Sequence, residues 1–529
     1  MSVLGNEDSR AEAPELPSWR RWACLAVLSV SLLAVVMDMS VLNVALPDLA
    51  ADLSPSATQQ LWIVDVYSLV LAGLLVSMSA LADRWGRKRL LLAGFGVFGA
   101  ASLVVLAATT AEGVIAVRAL LGVGGALIMP TTLSMVRTVF TDPAERATAL
   151  GVWAAVSSLG IAVGPIVGGL LLEHFSWQAA FLVNVPLMAA GIAAGVWLLP
   201  ESRASKPGRW DPLATALSIA GMASLVWAIK DLGERYADDG LANPVAWTVL
   251  AAALVALTWF VLRCLRRPDP LLDVRLFVHR AFTAGTLTAL ASMFAMAALL
   301  LLVAQWLQLV EGHSPLKAGV YLLPMAVGAL LASPAAPMLA ARIGVRVVLG
   351  GGLAIAGAGF LLLCLAPAPL SYPWVAASLA LQGAGAGALA VASAVIMSGS
   401  PPDKAGSAAA IEETSYELGS VLGIAILGSV AAVVYRAHLT LDDLAAQAVR
   451  DGLPAPAVDE AADSARQSLG GAMEAASRAG LPDLAARAQE AFTDSLVRTG
   501  LLGGVSLLAF AAVVFALTPR DADPMHQQH

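Results

Sequence analysis

The sequence predicts an all-α polytopic membrane protein: two six-helix bundles plus an inserted helix pair, fourteen transmembrane helices, both termini cytoplasmic. Three observations predict it. Apolar runs of about 20 residues, each long enough to cross a bilayer, recur along the whole chain. Hydrophobic residues make up 58% of it and charged ones 13%, against about 25% charged in an ordinary soluble domain. A short basic motif also occurs twice, in connections eight spans apart. This composition overrides the prior that a chain of 529 residues folds as three or four soluble domains.

The expected helices lie near 22–46, 61–81, 90–108, 113–139, 147–171, 178–198, 212–231, 245–264, 281–309, 316–340, 347–366, 374–398, 405–434 and 500–518. The first follows Arg20 and Arg21 as a signal peptide would. It is too long for that, contains Asp38 and lacks an A-x-A cleavage site, so it reads as a retained helix. Alternate connections carry the basic residues: Arg84 to Arg89, Arg137 and Arg146, Arg203 to Arg209, Arg263 to Arg280, Arg342 and Arg346, Lys404, then Arg520. The connections between them are poor in Lys and Arg, and PDLAADLSPSATQQ is acidic. The positive-inside rule then puts both termini in the cytoplasm, which agrees with an even span count. The organisation expected is a cytoplasmic segment 1–21, a first bundle 22–200, the inserted pair with its flanking cytoplasmic loops 201–280, a second bundle 281–519 and a cytoplasmic tail 520–529. Within the second bundle, 437–499 is polar, Ala-rich and net acidic, and reads as an external hairpin loop with helical segments such as LDDLAAQAV and LPDLAARAQEAF separated by Gly-Leu-Pro. Whether it serves transport or is simply solvated stays open.

The repeated motif is LADRWGRKRLLL (Leu81 to Leu92) and LAARIGVRVVLG (Leu339 to Gly350). Aligning Gly86 with Gly344 pairs Arg84 with Arg342 and Lys88 with Arg346, while Asp83 has become Ala341 and Arg87 has become Val345. Parallel repeats of this kind build a central cavity between two halves.

Several functions are excluded. A net charge of −7 provides no basic face for nucleic acid. Cys24, Cys264 and Cys364 show neither metal spacing nor a disulfide framework. No G-x-x-x-x-G-K-[ST] loop and no catalytic triad occur, so the chain is expected to be no enzyme, to use no ATP and to need no metal or cofactor.

Acids inside apolar helices carry the functional argument. Glu412, Glu413 and Glu417 lie in AAAIEETSYELGSVLG, Asp38 in VVMDMSVLNVALP and Asp65 in LWIVDVYSLVLAG. Each costs about 2.5 kcal/mol or more at mid-bilayer, so such groups face a protein interior or a water-filled cavity. Glu413 and Glu417 share one helix face, and Glu412 points about 100° away. Burial disfavours a charged carboxyl and a bound cation favours it, so protons and organic cations compete for the same groups. Asp38 and Glu413 lead as proton-coupling and cation-binding candidates, followed by Glu417 and Glu412. Asp65 ranks below them, because near the external end of its span it is open to headgroup water. Arg118 either snorkels to the interface or pairs with a buried acid, for which Asp38 is the candidate. Gly160, Gly164, Gly168 and Gly169 recur at helical spacing for close helix packing, and Pro165 invites a bend. Trp62, Tyr67, Trp153, Met293, Phe294, Met296, Trp306 and Tyr416 offer π faces and thioethers to flat cations as possible cavity lining.

With these residues in view, the chain resembles the major facilitator superfamily, and within it the fourteen-span drug:proton antiporters of the QacA type, pumps for quaternary ammonium compounds. SALADRWGRKRLLL matches the loop signature G-x-L-A-D-R-x-G-R-K, with Ser79 in place of the first glycine. RALLGVGGA from Arg118 resembles the fourth-span motif, and GIAVGPIVGGLL from Gly160 matches the fifth-span antiporter motif, with WQAAFLVNVP after it. The acid-bearing second and thirteenth spans also fit. The resemblance implies a major facilitator fold in the bacterial cytoplasmic membrane that exports lipophilic cations such as ethidium, driven by the proton gradient without a cofactor. It implies proton transfer through Arg118, a conformational latch at Asp83, Arg84, Gly86 and Arg87, and a sealing bend in the glycine helix. Family members that handle divalent cations can carry Asp where Ala329 stands, which favours monovalent substrates here. Still open are a dedicated exporter of a natural product or lipid, a membrane sensor without transport, and a channel.

Overall fold

The protein is described from a computed structural model, over residues 17–203, 211–239, 243–267, 270, 272–400, 405–441 and 454–520. Most of 1–21 and 520–529, Lys404, and the side chains of Asp83, Arg137 and Arg146 are not among the described residues. Helices α1 to α8 are Ser18–Leu53, Ala57–Trp85, Arg87–Val104, Ala111–Val139, Pro143–His174, Ala179–Leu198, Pro212–Asp239 and Pro244–Arg266. Helices α9 to α13 are Arg280–Val310, Pro315–Ile343, Val345–Cys364, Tyr372–Ser398 and Ser407–His438. They are followed by α14 Ala455–Gln467, α15 Leu469–Ala479 and α16 Pro482–Leu517. Among the described residues, thirteen helices are long and apolar enough to cross a membrane. The 32-residue α5 carries a shorter apolar stretch, Val163–His174, against the fourteen spans expected.

Local chemistry sets the helix starts. Ser56 and Gln59 form a reciprocal capping box on α2, and the Asp142 and Asn243 side chains accept from the first backbone N–H groups of α5 and α8. Pro143 and Pro244 occupy the first turn, where their missing N–H costs nothing.

The repeat is visible in the backbone. Gly86 ends α2 and starts α3 at φ 116°, and Gly344 ends α10 and starts α11 at φ 90°. Side chains with a Cβ avoid such values. The aligned cations also do matching work. Lys88 Nζ donates to the Val196 carbonyl on α6 at 2.7 Å, and Arg346 Nε donates to the Phe515 carbonyl on α16 at 2.5 Å. Each cation clasps the last span of its own bundle.

Two hydrophobic cores follow the two bundles: one around Leu28, Leu32, Tyr67 and Phe98, the other around Leu299, Trp306, Leu353 and Leu379. The bundles meet where α5 packs on α10 and α2 packs on α13. The inserted pair lies outside both. Its α7 covers α2 and α13, while α8 turns Trp247, Leu254, Val255 and Trp259 outward, as lipid contact requires. Asp211 caps α7 and receives two hydrogen bonds from Arg263 of α8, at 2.7 and 3.1 Å. Burial pushes this carboxyl up, yet the guanidinium bonds hold it below the ordinary aspartate value.

The described residues of the 437–499 hairpin, 437–441 and 454–499, are largely helical and packed. Tyr435 donates to the Ala465 carbonyl at 2.9 Å, and Ser54 at the end of α1 donates to Glu474 of α15 at 3.3 Å. The last part is not loop at all but the first turns of α16, burying Leu484, Ala488, Ala491, Phe492, Ser495 and Leu496. This face is amphipathic, so a hydropathy window sensitive to lipid-like stretches starts the helix too late.

Gly419 and Gly423 of α13 let that helix meet α9 backbone to backbone. A Cβ at either position would strike the Leu290 or Phe294 main chain. Gly423→Leu is therefore expected to lower thermal stability in detergent clearly, by at least the 1–3 kcal/mol or so of ordinary overpacking. Gly96→Ala, where a Cβ meets nothing within 4 Å, is expected to be neutral or slightly stabilising. Equal melting temperatures for the two variants would contradict this packing.

Candidate functional site

The first cluster joins α1, α2, α4 and α6. Arg118 is 1% exposed and its NH1 lies 2.5 Å from Oδ2 of Asp38, itself 4% exposed. The guanidinium does not snorkel. Its Nε donates to the Ile63 carbonyl at 3.1 Å and NH2 to the Val64 carbonyl at 3.4 Å, tying α4 to α2. Its Cζ stands 4.6 Å from the centre of the Tyr67 ring. Asn184 Nδ2 donates to the other Asp38 oxygen at 2.8 Å. Both carboxylate oxygens are thus answered, which a buried ion pair needs in order to persist.

The expectation that Asp65 opens to headgroup water is corrected. Asp65 is fully buried, and Lys230 Nζ lies 2.9 Å from its Oδ2 with the lysine side chain 1% exposed. The same ammonium sits 4.4 Å from the centre of the Trp62 ring. The reason is topological: α7 covers the face of α2 that carries Trp62 and Asp65.

The third group lies on α13. Glu412 is buried and accepts from the Tyr416 hydroxyl at 2.7 Å. Glu417 is buried beside the Ser68 hydroxyl of α2, which bonds it across the seam. Glu413, one turn earlier on the same face, is half-buried. Among the described residues, no cation stands at ion-pair distance from Glu413 or Glu417. No cluster of three metal-ligating side chains occurs among them either.

At one end the halves are sealed. Gly160, Gly164 and Gly168 of α5 pack on Val36, Ser40 and Val41 of α1, while Gly169 meets the Leu316 backbone and Gly319 meets the Pro165 carbonyl. Ser314 donates to Glu173 at 2.7 Å and Gln308 donates to the Val44 carbonyl at 3.1 Å, adding polar stitches between bundles. In the connection between α2 and α3, Arg87 donates to Thr138 of α4 at 2.7 Å and Arg84 is exposed. Of the aromatic and sulfur candidates, Trp62 and Tyr67 stand on the two buried cations. Trp153 bonds Thr132 at 3.4 Å, and Met293 and Met296 are half-buried. Phe294 and Trp306 are packed into the second core.

Two participants were missed by sequence reasoning. Asn184 sits in WQAAFLVNVP, where an amide within the apolar run AAFLVNVP was a readable signal. Lys230 ends the apolar run SLVWAIK, where the depth of a lysine is set by what packs around it.

Residues 28–424 match the family model for the Major Facilitator Superfamily. The chain belongs to the Major Facilitator Superfamily. It is 40% identical over 501 residues to the multidrug efflux pump LfrA of Mycolicibacterium smegmatis, covering 94% of this chain and 96% of that one. It is 36% identical over 424 residues to the methyl viologen resistance protein SmvA of Salmonella typhimurium, covering 80% and 85%. A bacterial homologue of the human lysosomal transporter Spinster, solved in an inward-facing, occupied conformation, matches with TM-score 0.62 over 94% of this chain and 97% of that one, at 18% identity. At that identity the likeness carries the fold alone. As a superfamily member the chain is a multi-pass membrane transporter of small molecules, not an enzyme.

Proposed function

We propose that this transporter is a proton-coupled multidrug efflux antiporter of the bacterial cytoplasmic membrane, with both termini cytoplasmic. Its substrates are lipophilic organic cations, quaternary ammonium compounds and dyes such as ethidium. The observation that carries the reading is Glu413 and Glu417 of α13, two acids at the bundle seam with no ion-pair partner among the described residues. Uncompensated buried carboxyls take either a proton or a cation. In this reading, a cation entering from the cytoplasm or inner leaflet displaces the proton, the loaded halves rock, and external protons displace the cation. The Asp38–Arg118 pair and the connection at Asp83, Arg84, Gly86 and Arg87 couple that exchange to movement of the halves. The proton gradient supplies the energy and no cofactor is used. The likeness to LfrA supports multidrug efflux.

Ala329 favours monovalent cations. The likeness to a methyl viologen resistance protein weighs the other way, because methyl viologen carries two charges. In proteoliposomes with an imposed proton gradient, ethidium is expected to move against its concentration gradient and to stop when an uncoupler collapses the proton gradient. Ethidium movement indifferent to the uncoupler would reject proton coupling.

A further inference from the structure

Lys230 has no part in the exchange just described, yet its position is costly. A lysine ammonium 1% exposed has lost nearly all its hydration, and such a group is kept only where something specific answers it. Two groups do, a carboxylate at 2.9 Å and an indole face at 4.4 Å. An acid beside an aromatic ring is the combination that holds organic ammonium ions.

The manner of holding is informative as well. Lys230 Nζ meets Oδ2 of Asp65 at 2.9 Å and the Trp62 ring at 4.4 Å. The ammonium is thus held by a carboxylate and a ring together, the two groups an organic cation also uses. Its surroundings place it at the seam: Leu69 and Ala72 of α2, Met222 and Val226 of α7, and Val421 and Ala425 of α13 form one apolar cluster. Lysine reaches this point from α7, which belongs to neither bundle. Arg118 answers Asp38 and Lys230 answers Asp65, while Glu413 and Glu417 on α13 have no ion-pair partner among the described residues.

We propose that Asp65 and Trp62 form a second organic-cation site, permanently filled by Lys230 as a tethered ammonium that sets the substrate charge the transporter accepts. With Lys230 in place, a cation finds its counter-charge at the Glu413–Glu417 pair, one turn apart on α13, and a second charge lying away from that pair finds Asp65 already taken. This rests on the cation reading of α13. It also locates the monovalent preference in a cation that is present, not only in an acid missing at Ala329.

The test compares ethidium with propidium, which share one ring system and carry one and two permanent charges. Binding of each to the full-length protein in lipid nanodiscs is followed by dye fluorescence. Lys230→Met keeps the apolar stem and removes the charge. The propidium-over-ethidium preference is expected to rise roughly tenfold, the yield of one added ion pair, and to return to its original value in Lys230→Met/Asp65→Asn. An unchanged preference in Lys230→Met overturns the proposal, and so does a rise that survives loss of Asp65.

A second arm does not depend on dye binding. Lys230→Ala is purified and melted with n-butylammonium or with neutral n-butanol. Stabilisation by the ammonium alone, absent in Lys230→Ala/Asp65→Asn, supports the site. Equal effects of the two additives overturn it. If neither dye binds the intact protein, the cation reading of α13 fails, and the butylammonium result still decides for or against the Asp65–Trp62 site.

Discussion

Arg118→Met is expected to abolish transport and to destabilise the protein by about 3–5 kcal/mol, the cost of stranding one partner of a buried ion pair. One guanidinium ties three helices together here. It neutralises Asp38 on α1 at 2.5 Å and bonds two successive α2 carbonyls, those of Ile63 and Val64. It also lies against the Tyr67 ring. Methionine fills part of the volume and supplies none of these bonds. Asp38 would keep only the Asn184 amide, at 2.8 Å. Replacing both members removes the stranded charge, so Arg118→Met/Asp38→Asn is expected to regain most of the stability, as apolar replacements of buried pairs often do. It is not expected to regain transport. Melting curves in detergent and gradient-driven ethidium flux separate the two effects. A double variant less stable than Arg118→Met would mean that the pair is not what holds these helices. Full flux in either variant would remove the pair from the transport cycle.

Much of this fold was legible because bilayer physics writes it into composition. Span length, the alternation of basic connections and the glycine at each copy of the repeat depend on local sequence alone, and Gly86 and Gly344 take the same backbone role. The Arg118 pairing was one of two readings left open, and depth decides between them. What stayed hidden depends on which helices become neighbours. Asp65 looked open to headgroup water because it lies near the external end of its span, and only the docking of α7 on α2 buries it. Lys230 drew no reading from the sequence for the same reason, since a residue at the edge of an apolar run is deep or shallow according to what packs around it. The hairpin of α14 and α15 could not be placed from the sequence because its polar face dominates the composition, while Leu469 and Ala472 turn inward. Helix–helix partners are tertiary facts, and a single sequence carries them only where a charge demands an answer.

The same logic makes α13 the second decisive test. Glu413→Gln keeps side-chain volume and hydrogen bonding while removing the charge and the titrating proton. A charge-assisted contact to a bound cation is worth about 1.5–3 kcal/mol, so its loss weakens ethidium binding by roughly 10- to 100-fold. Gradient-driven export falls with it. Affinity alone does not separate a cation ligand from a proton carrier, but the pH dependence does. If the cation displaces a proton, binding tightens as pH rises, because proton and cation compete. Glu413 and Glu417 stand one turn apart on one face, so they titrate as a group and share that dependence. Each single Gln variant is therefore expected to flatten the pH profile in part, and Glu413→Gln/Glu417→Gln to flatten it fully. Glu412 differs, since it accepts the Tyr416 hydroxyl at 2.7 Å, and Tyr416→Phe is expected to shift the profile without flattening it. Should the double Gln variant keep the intact pH slope, the exchanged proton is carried elsewhere, and Asp38 beside Arg118 becomes the group to test.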